Sequence, residues 1–183
     1  MIRMTERADN LPIAEKDLKL LIRGLEKRRD FRALLFSILG TGMSLEDALG
    51  VRIRDIDYAR SEIRVYDIWT GRTRSVRLNL SVVQAIREYQ DGKTRLDERL
   101  FEIESRTAIS WLYDHSQERL GRPLSWMAIR RTWAVLGFKN GIPFKDMVES
   151  SGTTAQQLAV WSLWDKGNGN GKEPPDLLAG LLK

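Results

Sequence analysis

Hydrophobic positions first follow a helical period. Ile13, Leu18, Leu21, Ile22 and Leu25 recur at helical spacing, with Glu15 in the first turn and Lys27-Arg28-Arg29 after the last, which predicts a helix from Ile13. Asp30 is the expected cap of a second helix, whose Phe31, Leu34, Leu35, Ile38 and Leu39 are core candidates. Gly40 and Gly42 supply the close-packed or left-handed backbone that ends it. Ser44 is placed as the N-cap of a short helix, with Asp47 three residues on as a capping-box partner and Leu45, Ala48 and Leu49 on one apolar face.

The period then changes to two. Ile63 and Val65 alternate with Arg64 and Tyr66, and Val76 and Leu78 alternate with Ser75 and Arg77. This predicts a β-hairpin of residues 62–68 and 73–78, turning at Thr70-Gly71. Helical spacing returns over 80–89, with Ser81 as the expected cap and Val82, Val83 and Ile86 inside. A further helix is predicted over 107–120, with Ile109, Leu112, and Tyr113 or Ser116 on one side. His115 lies in it, away from any motif, and reads as a surface or satisfied helix histidine. The sum is a mainly α-helical fold with a small antiparallel β-sheet, of the α+β class.

Composition narrows the chemistry. The 183 residues suffice for one full core, and 42% hydrophobic with 30% charged residues argues against wholesale disorder. Apolar runs are interrupted by Arg23, Arg32, Arg52 and Arg64, so no membrane span is expected. The polar start, residues 1–10, does not read as a secretory signal, and a cytoplasmic protein is expected. With no cysteine and a single histidine, disulfides, thiolate catalysis and a cysteine- or histidine-built metal site are excluded within one chain; no metal or cofactor is expected. The net charge is +5, and after Arg131 lysines and acids balance at five each, so the positive excess and every arginine lie in residues 1–131. That asymmetry favours a surface facing a polyanion, against the plainer reading of a solubilising surface. Arg64, Arg72, Arg74 and Arg77 on the predicted ribbon could line phosphates, or simply keep an exposed ribbon soluble.

Two motifs carry a resemblance. Thr41, Gly42, Met43, Leu45, Asp47 and Asp55-Ile56-Asp57 stand in the order of the first arginine box of the tyrosine recombinase (phage integrase) catalytic domain. Ile129-Arg130-Arg131-Thr132-Trp133-Ala134 resembles its second box. Between them, Thr70, Gly71, Arg74, Val76 and Leu78 are similar to the family's hairpin, and Leu100-Phe101 to a short segment that follows it. The resemblance covers residues 13–164 and implies that family's catalytic-domain fold. It also implies what has been replaced. The first catalytic arginine falls on Ser44, the lysine on Trp69, the histidine on Met127 and the his/trp position on Thr153; Arg130 alone is retained. The nucleophilic tyrosine is due within 158–164, where Ser162 takes the nominal place and no tyrosine follows Tyr113. A serine with no base beside it is a poor nucleophile, and one arginine is little help to phosphoryl transfer.

The expected organisation is a lead-in over 1–12, an integrase-like unit over 13–165, a flexible linker over 166–175 and an apolar docking segment over 176–183. The separate helical DNA-clamping domain of full-length family members is not expected before Ile13. The leading expectation is a catalytically inactive integrase-like protein that binds duplex DNA through Arg64, Arg72, Arg74, Arg77, Arg130 and Arg131, regulating or competing with recombination. The alternative is a protein–protein or oligomerisation module on the same fold, and the third a cryptic DNA strand-transfer enzyme. The family often passes its C-terminal segment to the next protomer, so Leu177, Leu178, Leu181 and Leu182 are expected to dock on this chain or a second copy. Arg130 itself is expected to bond to backbone carbonyls or a carboxylate, because a guanidinium is costly to bury unpaired.

Overall fold

The computed structural model describes residues 10–67, 70–92 and 95–162. Its axis is helix α2 (Arg29–Thr41), which follows α1 (Glu15–Ile22). From Ala33 to Leu39 every side chain of α2 is buried, so the helix is covered on all sides rather than along one stripe. Asp30 does not cap it. The cap position belongs to Arg28, whose guanidinium donates to the Asp30 carboxylate, while Asp30 sits in the first turn, where a negative charge suits the helix N-terminus. The helix ends as the glycine pattern predicts. Gly42 is left-handed at φ +73°, and a Cβ there would lie 2.3 Å from the Trp133 ring.

Helix α3 (Leu45–Gly50) begins with the expected capping box: Asp47 N–H donates to Ser44 Oγ at 3.0 Å, and Ser44 N–H donates to the Asp47 carboxylate at 3.4 Å. A 3-10 turn, Ile53–Asp55, leads into a three-stranded antiparallel sheet in the order β1 (Ile56–Asp57), β2 (Glu62–Asp67), β3 (Arg72–Arg77). Ile63 pairs with Val76 and Val65 with Arg74. Because side chains alternate across a strand, Ile63, Val65 and Val76 face the core, and Arg64, Tyr66 and Arg77 face away from it. The same parity puts Arg72 and Arg74 on the inner side.

Helix α4 (Leu80–Gln90) packs on α2. Asn79 caps it by accepting from Val82 N–H at 2.9 Å; Ser81 is already inside the helix, where its backbone cannot adopt the extended cap conformation. Leu100 and Phe101 are buried in the connection to α5 (Ser105–Leu120). The buried row of α5 is Ala108, Leu112 and Ser116; Leu112 and Ser116 stand as expected, Ala108 takes the place expected for Ile109, and Ile109 and Tyr113 are exposed at 54% and 53%. Ser116 tolerates burial because its hydroxyl donates to Tyr113 O and accepts from Leu124 N–H. His115 lies 2.8 Å through Nε2 from Leu21 O and stacks on Trp111, the satisfied helix histidine expected. Helix α6 (Trp126–Lys139), capped by Ser125, runs beside α2; α7 (Phe144–Ser151) lies against β3; α8 (Ala155–Ser162) packs on α6. Among the described residues no helix is long and apolar enough to cross a membrane. Trp69 and residues 163–183, with the expected linker and docking segment, lie outside the described residues.

Candidate functional site

Arg130 projects from α6 into the junction of three elements. Its Nε donates to Gly42 O at 2.8 Å, and its Nη2 donates to Ser151 O at 3.1 Å and Thr153 Oγ1 at 2.7 Å. Its guanidinium also lies 5.4 Å from the centre of the Trp161 ring, within cation–π range. Backbone carbonyls therefore hold it, as expected for a buried guanidinium. Burial is the main influence on its pKa and lowers it; Asp47 and Glu46 pull it back up, and Arg74 pushes it further down.

Arg74 meets the same junction from β3. Its Nη2 donates to Asp47 Oδ2 at 2.7 Å, with both side chains mostly buried at 16% and 13% exposure. Its Nε donates to Ser150 O, and a Cβ on left-handed Gly152 would fall 2.7 Å from Arg74 Cζ, so glycine is needed there for packing as well as for its φ of +64°. Ser150 Oγ donates to Thr41 O in turn. Two guanidinium groups thus occupy the last carbonyls of α7, where the helix carries partial negative charge, and tie them to the α2–α3 turn. The pairing of Asp47 with Arg74 is missed by sequence reasoning, which gives Asp47 only its capping role; the two are far apart in sequence and no local signal joins them.

Positions that the family resemblance assigns to catalysis converge. Ser44, Met127 and Arg130 line one cavity of about 280 Å³, and Thr153 bonds directly to Arg130. The cap and the methionine bring no charge to that cavity. Ser162, the last residue of α8, donates its hydroxyl to Ala159 O at 2.6 Å. Its neighbours Leu158 and Trp161 belong to the core.

The remaining arginines stand apart from this junction. Arg72 and Arg77 are exposed and their side chains make no hydrogen bond or ion pair among the described residues, and Arg64 is exposed with a bond to Arg54 O at 3.5 Å. Arg64 shares an open polar groove with Arg54 and Arg60, which sequence reasoning left out of the basic set; Asp57 and Glu62 share it too. Arg131 is turned toward the chain, donating from Nη1 to Asn10 O at 3.1 Å. Of the six arginines expected to face DNA, the structure leaves Arg64, Arg72 and Arg77 exposed, with Arg72 on the other face of the ribbon from Arg64 and Arg77, and commits Arg74, Arg130 and Arg131 to bonds within the protein.

Comparisons with known proteins agree with this layout. No family model matches the chain. It is 28% identical over 116 residues to the tyrosine recombinase XerA of Saccharolobus solfataricus, a match covering 63% of this chain and 39% of that protein. The crystal structure of XerA recombinase superposes with a TM-score of 0.74 at 18% identity, covering 86% of this chain and 61% of the other. XerH site-specific recombinase, in its post-cleavage complex with a palindromic difH substrate, gives 0.67 at 16% identity over 86% of this chain and 51% of that one. A lambda integrase dimer bound to a COC′ core site gives 0.66 at 14% identity over 91% and 63%. The chain thus spans about two-fifths of the curated relative's length and less than two-thirds of these three structures. In the order of its motifs this chain is similar to the tyrosine recombinases, and its fold is that of the catalytic domain of tyrosine recombinases and phage integrases.

Proposed function

We propose that this protein binds duplex DNA without cutting it, and regulates or competes with recombination at sites used by an active recombinase. The observation that carries this reading is the division of the arginines. Arg64, Arg72 and Arg77 present exposed guanidinium groups on a β-ribbon, a form suited to phosphates and groove edges. Arg130, the retained member of the family's catalytic set, has its Nε and Nη2 bonded to protein oxygens instead. The four tyrosines, Tyr58, Tyr66, Tyr89 and Tyr113, all precede α6 in sequence, and none lines the cavity that holds it. The DNA-bound state of the XerH and lambda integrase structures adds support for a DNA partner.

The test is a titration of labelled duplexes at several salt concentrations, paired with a nicked suicide substrate. Binding that falls steeply with salt is expected, because each neutralised phosphate releases counterions. No covalent adduct is expected. A tyrosine- or serine-linked adduct would overturn the non-cutting half. Failure to shift any duplex at low salt, together with stable self-assembly, would replace the DNA half with the reading of a protein–protein module, which the exposed pair Ile109 and Tyr113 on α5 favours.

A further inference from the structure

The cavity at Ser44, Met127 and Arg130 has a chemistry that DNA binding does not use. At about 280 Å³ it lies near the lower end, roughly 300 Å³, of ordinary small-ligand sites. Leu45, Ile109, Leu124 and Met127 make its walls apolar, and Arg130 supplies its positive charge. All three hydrogen bonds of that guanidinium to described residues run to neutral oxygens, while the nearby Asp47 carboxylate is bonded to Arg74. Arg130 Nη1 makes no hydrogen bond to a described residue. A largely buried cation without a bonded counter-charge is unfavourable, so an anion that reaches Nη1 is stabilised there.

The remaining groups select which anion. Glu46 is exposed on the wall of the same cavity and opposes a second negative charge. Apolar walls penalise an anion that is hydrated on every side, such as inorganic phosphate. A single carboxylate on a hydrocarbon body satisfies the guanidinium, limits repulsion from Glu46 and buries its apolar part.

We propose that this cavity binds a small monocarboxylate with an apolar body, its carboxylate on Arg130 Nη1 and its hydrocarbon against Ile109, Leu124 and Met127. A free acid and the C-terminal carboxylate of a peptide ending in an apolar residue present the same group. The assignment does not depend on the DNA reading, which uses the ribbon arginines.

Calorimetric titration of the full chain with hexanoate, hexan-1-ol, inorganic phosphate and N-acetyl-leucyl-leucine tests it. Hexanoate should saturate one site, with hexan-1-ol and phosphate each weaker by about tenfold or more. Tighter binding of the acetylated dipeptide than of hexanoate would assign the site to a peptide C-terminus, and the reverse to a free acid. Ile109→Glu changes an exposed wall residue, so it should abolish hexanoate binding while the melting temperature holds. Glu46→Gln should strengthen phosphate binding and leave hexanoate binding no weaker. Lack of saturation by either carboxylate, equal binding of hexan-1-ol or phosphate, or unchanged hexanoate binding by Ile109→Glu would each overturn the proposal.

Discussion

Arg130 and Arg74 place the same planar fork at one helix end, and each fork spans acceptors from separate elements. Arg130→Ala would strip Gly42 O, Ser151 O and Thr153 Oγ1 of a charged donor. A loss of about 3 kcal/mol in urea denaturation is expected. Arg130→Lys should recover only part of it, since a single ammonium cannot reproduce the fork. An unchanged denaturation midpoint in both variants would remove the structural role. Gly42→Ala meets two obstacles together, a positive φ and the Trp133 ring 2.3 Å from the new Cβ. It should cost more than about 3 kcal/mol, read as a fall in the same midpoint. That Arg130 would be held by carbonyls or a carboxylate is legible in the sequence, because its place among Ile129, Thr132 and Trp133 implies burial and burial demands partners. Its particular partners are not, because Gly42 and Ser151 belong to other elements and meet it only after folding.

Among the elements, the β-ribbon shows what period-two reasoning can and cannot supply. Alternation of Ile63 and Val65 with Arg64 and Tyr66 gives both strands and their buried face. Applied to β3, the same parity separates Arg77 from Arg72 and Arg74, yet the sequence-level argument counts all four arginines as one surface. Only the packing of α7 and α3 against the ribbon turns Arg74 into a strut. Two variants should therefore behave differently. Changing Arg64, Arg72 and Arg77 together to alanine should weaken duplex binding by about 1–3 kcal/mol with an unchanged melting temperature. Arg74→Ala should instead destabilise the fold by about 3 kcal/mol, because Asp47 stays mostly buried without its cation. Equal effects of the two on binding and melting would contradict the division. In α5 the expected row differs at Ile109 for a related reason: Ala108 is its neighbour, and local periodicity cannot tell which of the two meets α1.

For the molecule as a whole, the charge distribution and the order of the elements are legible in the sequence. The basic excess of residues 1–131 includes the exposed ribbon, whereas α7 and α8 contribute the carbonyls and aromatic ring that enclose Arg130. Residues 176–183, expected to dock on this chain or a second copy, lie outside the described residues. Deleting residues 173–183 should lower either the assembly size in sedimentation or the melting temperature. If neither moves, that segment has no docking role.

The capping box at the head of α3 has a consequence for any arginine placed there. Ser44 stands where the resembled family keeps its first catalytic arginine, and here its hydroxyl accepts the Asp47 N–H. Back-substitution, Ser44→Arg, would remove that acceptor at an expected loss of about 1 kcal/mol. It would also introduce a third guanidinium beside Arg74 and Arg130, competing for the Asp47 carboxylate that holds β3 to α3. The present serine is therefore coupled to Arg74 and Arg130 around it, and an arginine placed at this single position costs stability through two separate contacts.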